Sequence, residues 1–442
     1  MTSRRNFIKT IGGVAAASYI LSGKALPSSK NTTVYKKNSP NETVRVGLIG
    51  CRNMGWGDLS DFLILPNTEC VALCDIDGNI LRDRASEIAR QGKKPQLFGD
   101  YRKMLEMKEL DVVIIGTPDH WHCLQLVDAC AAGKDVYVEK PIANSIAECD
   151  VMVKAARKYN RIVSVGQQQR SGKHWQEMIR YLNSGELGKI ARVDIWANFN
   201  YGALAPSAPI SDVPENVDYD MWMGPTPKRP FCQSHFHGSW RMFWDYGGGL
   251  MTDWGVHLLD MALWGMNITS MPNRVTAVGG RFAYPQNCPE TFDTQSVLYQ
   301  FDNFLIQWNH TGGTETGPYG RNYGLAFKGT NGTLIADRNN WEIIPERHNG
   351  KDKIEHIITQ ADDKDHRHHL ANFLNCVRNR NQETACTLEN GSLCAKYAHL
   401  GNIAARTGLS LIYDDQKKRF DDKRANKLLK PIYQNNWKFP KL

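Results

Sequence analysis

The chain has 442 residues, a formal net charge of +8 and 41% hydrophobic residues, which is enough apolar material for two or three globular domains. Past the N-terminus no run approaches the roughly 18 uninterrupted apolar residues of a membrane span, and this excludes a multi-span membrane protein. In the basic tail 417–430 the charges alternate with Asp421 and Asp422 and lack an array of aromatic residues, so they indicate a solvated surface rather than a nucleic-acid groove.

The first residues have the layout of an export signal. The paired arginines Arg4 and Arg5 stand in the string S-R-R-N-F-I-K, ahead of a mildly apolar stretch and a small-residue site near Ala25. This layout is typical of a twin-arginine signal, and the alternative is a basic start followed by a short anchor helix. We predict a signal peptide over residues 1–25, a linker over 26–43 and a periplasmic protein with no stable membrane anchor.

The cysteines and clustered histidines do not have the spacing of a metal site. The eleven cysteines are odd in number, form no C-x-x-C pair and often lie in apolar runs, as Cys70 and Cys74 do in a predicted strand. They therefore predict buried free thiols rather than disulfides. His366, His368 and His369 begin an amphipathic helix without clustered acidic residues facing them, so we predict no metal.

Residues 44–166 alternate short apolar runs with helical patterns. Such alternation predicts a parallel sheet covered by helices on both faces. The predicted strands are 44–49, 70–74, 111–116, 135–138 and 162–166.

After Gln167 the pattern changes to longer alternating strands, which predict a large open, mainly antiparallel sheet. The fold class is therefore α/β, with an N-terminal Rossmann domain over 44–166 and a C-terminal α/β domain over 167–442. In the second domain we predict helices at 175–182, 250–264, 366–380 and 391–407, a Gly/Pro/aromatic-rich loop at 200–248, and strands at 190–199, 274–283, 294–301, 303–310, 322–328 and 332–337.

The turn after the first predicted strand has two of the three glycines of the dinucleotide-binding fingerprint. Gly50 and Gly55 occupy its first and third positions, where the chain turns tightly and the amides of the next helix face a pyrophosphate. Arg52 replaces the middle glycine, and its guanidinium can extend toward phosphate. Asp75 ends the next strand, where an acid accepts hydrogen bonds from ribose hydroxyls and repels a 2′-phosphate. The unit predicts NAD rather than NADP; the alternative is an ordinary glycine turn and a solvent-facing aspartate.

Two further strings carry polar side chains where such folds bind ligands. Lys140 lies in Y-V-E-K-P, at the carboxyl end of a predicted parallel strand. Asp253, His257 and Asp260 lie in G-G-G-L-M-T-D-W-G-V-H-L-L-D, and on a helix their spacing places them on one face. The structural alternatives are a surface lysine after a strand and a helix histidine capped by an aspartate.

These strings together resemble the glucose–fructose oxidoreductase/inositol dehydrogenase family, also called Gfo/Idh/MocA. The E-K-P motif is residues 139–141, the D-x-x-x-H helix is 253–257, the T-P-D-x-x-H loop is 117–122, and 166–170 is the segment entering the second domain. The resemblance covers essentially everything from Val44 to the tail. It implies a Rossmann domain followed by an α/β domain whose open sheet forms oligomer contacts, and thus a homo-oligomer, a dimer or a tetramer.

The resemblance also implies roles for individual side chains. Lys140 would lie beside the nicotinamide and bind the reacting hydroxyl, His257 would be the general acid/base, and Asp253 would orient the substrate or the imidazole. Oxidation of a carbinol carbon requires loss of the hydroxyl proton, which suits an imidazole whose pKa a nearby ammonium lowers. The predicted cofactor-binding residues are Gly50, Arg52, Asn53, Met54, Gly55, Asp75, Thr117, Pro118, His120, His122, Glu139, Lys140 and Gln168.

The loop before the glycine run is the candidate wall of a sugar site. Its aromatic face and polar donors suit polyols, although ordinary loop packing would use the same residues. The predicted substrate-binding residues are Arg170, His237, Trp240 and Arg241.

We expect a sugar dehydrogenase, acting for example on the 3-hydroxyl of a glucoside. An exported enzyme has no soluble cofactor pool, so we expect a tightly held NAD that is recycled in place. The first alternative is an NAD-dependent glycoside hydrolase, in which oxidation at C3 acidifies the C2 proton and allows elimination of the aglycone. The second alternative is a non-catalytic sugar-binding protein that retains NAD.

Overall fold

The fold is described from a computed structural model, which covers residues 43–90, 92–199, 207–361 and 365–442. The predicted signal peptide, residues 1–25, and all but the last residue of the predicted linker lie outside the described part of the chain.

The N-terminal half forms a six-stranded parallel sheet in the order β3-β2-β1-β4-β5-β6, with helices on both faces. Two of its inner strands, 112–115 and 135–138, are completely buried and, apart from Asp135, apolar, as expected for a parallel sheet covered on both sides. The elements are β1 (Val44–Ile49), α1 (Asn53–Phe62), β2 (Thr68–Cys74), α2 (Gly78–Ala89), β3 (Gln96–Phe98), α3 (Tyr101–Leu105), β4 (Val112–Ile115), α4 (Asp119–Ala131), β5 (Asp135–Val138), α5 (Ile146–Tyr159) and β6 (Val163–Val165).

The C-terminal half contains a nine-stranded sheet in the order β16-β13-β12-β11-β7-β10-β9-β8-β17. Its elements are α6 (Lys173–Ser184), β7 (Ile190–Ala197), α7 (Tyr219–Met223), α8 (Gly249–Gly265), β8 (Arg274–Gly280), β9 (Thr294–Gln300), β10 (Leu305–Thr311), β11 (Tyr323–Gly329), β12 (Gly332–Ala336), β13 (Asn340–Pro345), β14 (Arg347–His348), β15 (Lys351–Asp352), β16 (Ile358–Gln360), α9 (Asp365–Asn379), α10 (Leu388–Thr407), β17 (Ser410–Leu411), β18 (Tyr413–Asp414), β19 (Arg419–Phe420) and α11 (Lys423–Asn426).

The predicted fold class is confirmed, with one refinement of the large sheet. Its neighbouring strands are antiparallel except for β7 and β10, which run parallel at its centre. Sequence periodicity reports which residues face the core but not which strands pair, so this central pair is visible only in the structure.

One face of the large sheet is covered by α6, α8 and α10, which share a core with it. Helix α8 is buried almost all round, which explains why its sequence lacks a polar stripe. The outer face carries exposed apolar side chains beside polar ones, among them Val278 and Leu298.

The last helices return to the parallel sheet. Helix α9 packs against α1, and Phe373 contacts both Phe62 and Tyr137. The C-terminal tail also contacts this half, because Trp437 packs edge-on against Trp121 of α4. The first and second halves are therefore joined by extensive packing as well as by the chain crossing at residue 167.

Several short elements were not predicted. Strands β3 and β16 have three residues each and are mostly exposed, so they carry no clear apolar alternation. Helix α10 begins three residues earlier than expected because the Thr387 side chain accepts a hydrogen bond from Asn390 N, an ordinary N-cap.

All eleven cysteines are free, and nine of them are buried, as the apolar runs around them predicted. Within the described residues, no helix is long and apolar enough to cross a bilayer. Nor does the described part of the chain contain a group of three or more histidine, cysteine or acidic side chains that could hold a metal ion.

Candidate active site

The turn between β1 and α1 requires glycine at two positions. Gly50 has a left-handed φ of +89°, and a Cβ there would lie 2.8 Å from the carbonyl of Gly116, which follows β4. A Cβ at Gly55 would lie 2.4 Å from the Gly50 oxygen. Side chains would force these backbone segments apart, so sterics explain the two outer glycines of the fingerprint.

Arg52 stands at the N-cap of α1 in extended conformation, and no side chain caps this helix. The N-terminal amides of a helix favour an anion, and Arg52 adds a cationic side chain to the wall of the adjoining cavity. The missing middle glycine is therefore compatible with a pyrophosphate at this turn.

Asp75 follows β2 and connects two turns. Its carboxylate accepts hydrogen bonds from Cys51 N at 2.7 Å and from Asp77 N at 3.0 Å. Burial raises the pKa of Asp75, and these two N–H donors oppose that rise. The acid expected at the ribose position thus also stabilises the glycine turn.

A cleft lies at the carboxyl ends of β1, β2, β4 and β5. These strand ends are where doubly wound sheets bind dinucleotides. The predicted cofactor-binding residues that line it are Gly50, Arg52, Asn53, Met54, Asp75, Thr117, Pro118, His122, Glu139 and Lys140.

Lys140 links the two halves of the chain. Its Nζ lies 2.5 Å from Asp253 Oδ1, and both side chains are about one-tenth exposed. Arg241 Nε lies 3.5 Å from the same carboxylate oxygen, and Arg241 also lines the cavity. The carboxylate on α8 therefore holds one cation from the end of β5 and one from the loop before α8.

His257 lies one helical turn after Asp253 and is buried. Burial first, and then the positive charges of Lys140 and Arg338, hold the pKa of His257 well below its ordinary value. Its Nδ1 makes no hydrogen bond with the described residues, and its ring packs edge-on against Trp254. The imidazole is therefore neutral at neutral pH.

Two acids in the cavity wall have strongly raised pKa values. Burial raises the pKa of Asp119 well above its ordinary value, against the effect of Arg241 and Lys140. Burial, followed by the nearby Asp58 carboxylate, raises the pKa of Glu139 to about 8. Asp119 is the aspartate of the T-P-D-x-x-H string and the first residue of α4, but it is not among the predicted cofactor-binding residues.

His122 holds two strand ends together. Its ring nitrogens lie 2.8 Å from Pro141 O and 2.8 Å from Thr117 O. Burial lowers the pKa of His122 to about 4, so the ring is neutral and donates one N–H to one carbonyl at a time.

Four predicted site residues have positions or contacts that differ from those expected for their predicted roles. Arg170 forms a buried bidentate ion pair with Asp260, away from the cavity, because a buried guanidinium requires a partner. His120 Nε2 donates to the carbonyl of Trp222, and Gln168 begins a short 3₁₀ helix; neither is among the cavity-lining residues.

His237 is the fourth. It lines the cavity, but its Nε2 lies 2.9 Å from Asp77 Oδ2, beyond the end of β2 rather than β5. Of the predicted substrate residues, Trp240 and Arg241 lie in the wall on the side of Asp253.

Comparisons with known proteins agree with this architecture. Residues 44–167 match the model of the GFO_IDH_MocA oxidoreductase family, NAD-binding Rossmann fold. Residues 185–276 and 340–439 match the C-terminal alpha/beta domain of the same family. Together the two models match well over half of the chain.

Among curated proteins, a glycosyl hydrolase family 109 protein of Shewanella pealeana is 29% identical over 204 residues, which are 42% of this chain and 44% of that protein. The chain thus matches less than half the length of such curated relatives.

Two solved structures share the fold. The aldose-aldose oxidoreductase from Caulobacter crescentus, complexed with glycerol, has a TM-score of 0.63 and 18% identity, covering 84% of this chain and 100% of that one. The WlbA dehydrogenase from Bordetella pertussis, in complex with NADH and UDP-GlcNAcA, has a TM-score of 0.62 and 19% identity, covering 84% and 99%. With both family models matched in order along the chain, this protein belongs to the Gfo/Idh/MocA family of oxidoreductases, and its N-terminal domain is an NAD-binding Rossmann domain.

Proposed function

We propose that the protein is an exported oxidoreductase that transfers a hydride between a sugar hydroxyl carbon and a tightly bound NAD. The observation that carries this proposal is the Lys140–Asp253 ion pair at 2.5 Å, with the buried, neutral His257 one turn further along α8. It places the Lys140 ammonium, which lines the cavity, against a carboxylate one helical turn before His257, although Asp253 and His257 are not themselves among the cavity-lining residues.

The residues present fit NAD. The Gly50–Gly55 turn and Arg52 would hold its pyrophosphate, and Asp75 would hold the adenosine ribose. When bound, NAD supplies the hydride acceptor or donor. The remaining work falls to side chains of this chain.

Lys140 would donate a hydrogen bond from Nζ to the reacting oxygen and stabilise its developing negative charge. Asp253 holds this ammonium in place, while the neutral imidazole of His257 would take the hydroxyl proton during oxidation and return it during reduction. The same three groups serve both directions, which suits a cofactor that is oxidised and reduced without leaving.

A sugar substrate is supported by the cavity wall beside Asp253. Arg241 offers a fork of N–H donors of the kind that binds polyol hydroxyls, and its guanidinium lies over the ring of the buried Trp240. The name of the structurally similar aldose-aldose oxidoreductase points the same way. The 3-hydroxyl of a glucoside is the specific group we propose, and the paired arginines Arg4 and Arg5 support a periplasmic location.

An NAD-dependent glycoside hydrolase is the second candidate, and the glycosyl hydrolase family 109 relative favours it. Oxidation at C3 would again be the first step, followed by loss of the acidified C2 proton and elimination of the aglycone. Addition of water across C1 and C2 and return of the hydride to C3 would complete the hydrolysis. A non-catalytic sugar-binding protein is not supported, because the chain belongs to an oxidoreductase family.

One experiment tests the proposal and separates the candidates. The mature protein is purified, its bound NAD is identified by mass, and a panel of sugars and aryl glycosides is screened for reduction of that NAD. A dehydrogenase reduces it without releasing aglycone, whereas the hydrolase releases aglycone without added reductant. Lys140→Ala should abolish both signals and the exposed-lysine control Lys94→Ala neither. Bound NAD that no sugar reduces would overturn the proposal.

A further inference from the structure

Residues 215–241 of the second half, which we call the strap, form one wall of the NAD cavity and pair with the NAD-binding domain. The pairing partner is the turn between β2 and α2. Asp77 and Val217 form an antiparallel bridge, Gly78 N donates to Asn216 O at 2.8 Å, and Asp218 N donates to Ile76 O at 2.9 Å. The strap is thus hydrogen-bonded to the NAD-binding domain immediately after Asp75.

A second set of contacts joins the strap to α4. The Trp222 carbonyl accepts hydrogen bonds from His120 Nε2 at 3.0 Å and from Trp121 Nε1 at 2.9 Å. Gly224 has a φ of +52°, and a Cβ there would lie 2.2 Å from the Trp121 ring. Glycine is therefore required where the strap backbone crosses this indole.

The strap also has its own aromatic core. Tyr219 and Trp222 stack with ring centroids 5.6 Å apart, and Phe231 and Phe236 pack against them. Such a core lets the strap hold its shape without a ligand.

A third contact between the strap and the NAD-binding domain joins the side chains of His237 and Asp77. His237 Nε2 lies 2.9 Å from Asp77 Oδ2, and the two side chains are 15% and 10% exposed. Asp77 Oδ1 accepts a hydrogen bond from Asn79 N and so caps α2. This bond orients the carboxylate independently of its contact with His237. His237 has a φ of +59°, an uncommon conformation for histidine that the surrounding contacts must maintain.

We propose that the strap retains NAD in the protein and that the His237–Asp77 contact is its latch over the adenosine end. This inference rests on the proposed function only in taking NAD as the resident cofactor. The strand order β2-β1-β4-β5 gives the position of the latch relative to Lys140. Three strand spacings separate the end of β2 from the end of β5, about 14 Å, so the latch closes the end of the cavity distant from Lys140.

This position explains how NAD is held while the substrate exchanges. His237 lies beyond the end of β2, where the adenosine ribose would bind, whereas Lys140 and Arg241 border the end where the sugar would enter. Release of NAD requires the latch to open, but exchange of a sugar does not. Retention and turnover are therefore controlled by different residues.

The test measures NAD release rather than sugar turnover. The holoenzyme is diluted into an excess of a second dehydrogenase that traps free NAD, and the NAD still bound is quantified over time after gel filtration. Two variants open the latch: His237→Asn, which tolerates the left-handed backbone, and Asp77→Ser, whose hydroxyl can cap α2 but does not replace the carboxylate oxygen that faces His237. His356→Asn, at an exposed histidine, is the matched control.

We expect release from both latch variants to be about three- to tenfold faster than from the wild type and the control, as expected for loss of one largely buried hydrogen bond. Equal rates in all four proteins would overturn the inference. Wild-type protein that oxidises sugars but loses NAD as fast as His237→Asn would overturn it while leaving the proposed function intact. Slow, latch-dependent release in a protein that reduces no sugar would support the strap and refute the proposed function.

Discussion

Replacing Lys140 by methionine is the sharpest test of the site, because it keeps the apolar stem and removes only the charge. In the wild type its ammonium lies 2.5 Å from Asp253 Oδ1, and both side chains are almost buried. We expect kcat for sugar oxidation to fall by about 10²–10³, the usual effect of removing one group that stabilises a developing oxyanion.

The same substitution has a calculable effect on stability. Removing one partner of a buried ion pair costs about 3–5 kcal/mol when the other charge is left alone. Here Arg241 Nε remains 3.5 Å from the Asp253 carboxylate. We therefore expect the free energy of unfolding to fall by less, about 1–3 kcal/mol.

Three measurements on one preparation separate these effects. Single-turnover reduction of bound NAD reports the chemical step, released NAD reports cofactor content, and urea unfolding reports stability. Lys94→Met is the control at an exposed lysine. Lys140→Met protein that keeps full NAD content and turns over within threefold of the wild type would refute the assignment of Lys140 to the chemistry.

Three further predictions concern the imidazole, the glycine turn and the α1–α9 contact. Because the charge of Arg338 contributes to the low pKa of His257, Arg338→Met should move the acidic limb of the oxidation pH profile to higher pH; an unmoved limb would separate His257 from the proton transfer. Gly55→Ala places a Cβ 2.4 Å from the Gly50 oxygen and should remove most co-purifying NAD, whereas Gly57→Ala on the same helix, where a Cβ contacts nothing within 4 Å, should retain it. Burial lowers the pKa of His366, but hydrogen bonds to Asp58 and Asp61 outweigh it and raise the pKa to about 9. The stabilisation contributed by charged His366 is complete below the pKa of histidine in the unfolded chain, near 6.5, and is lost as the pH rises through 9. His366→Gln should therefore lower the free energy of unfolding at pH 6 by about 2 kcal/mol or more, and its difference from the wild type should narrow by pH 10.

Sequence patterns predicted the features that depend only on residues close together along the chain. Gly50 and Gly55 indicated a tight turn at a strand–helix junction, and backbone contacts under 3 Å explain why they are glycines. The spacing of Asp253 and His257 indicated one helix face, and both lie on α8.

Side chains whose partners are distant in sequence were less predictable. Arg170 and His120 stand in strings of the expected kind, yet one pairs with Asp260 and the other holds the strap. Nothing in the spacing of His237 and Asp77, 160 residues apart, indicates that they meet. The aromatic loop before α8 predicted a wall but not which end of the cavity each residue would border.

The sequence by itself determined the alternation of buried strands and helices, the dinucleotide-type turn and the identity of the polar groups available for chemistry, because these depend on hydrophobic periodicity and backbone sterics within a few residues. Only the tertiary structure decided which strands pair in the large sheet, that Lys140 meets Asp253 across the two halves, and that the strap closes over the end of β2. Those outcomes depend on packing between segments separated by more than a hundred residues, where burial forces each charge to find a partner that local sequence cannot specify.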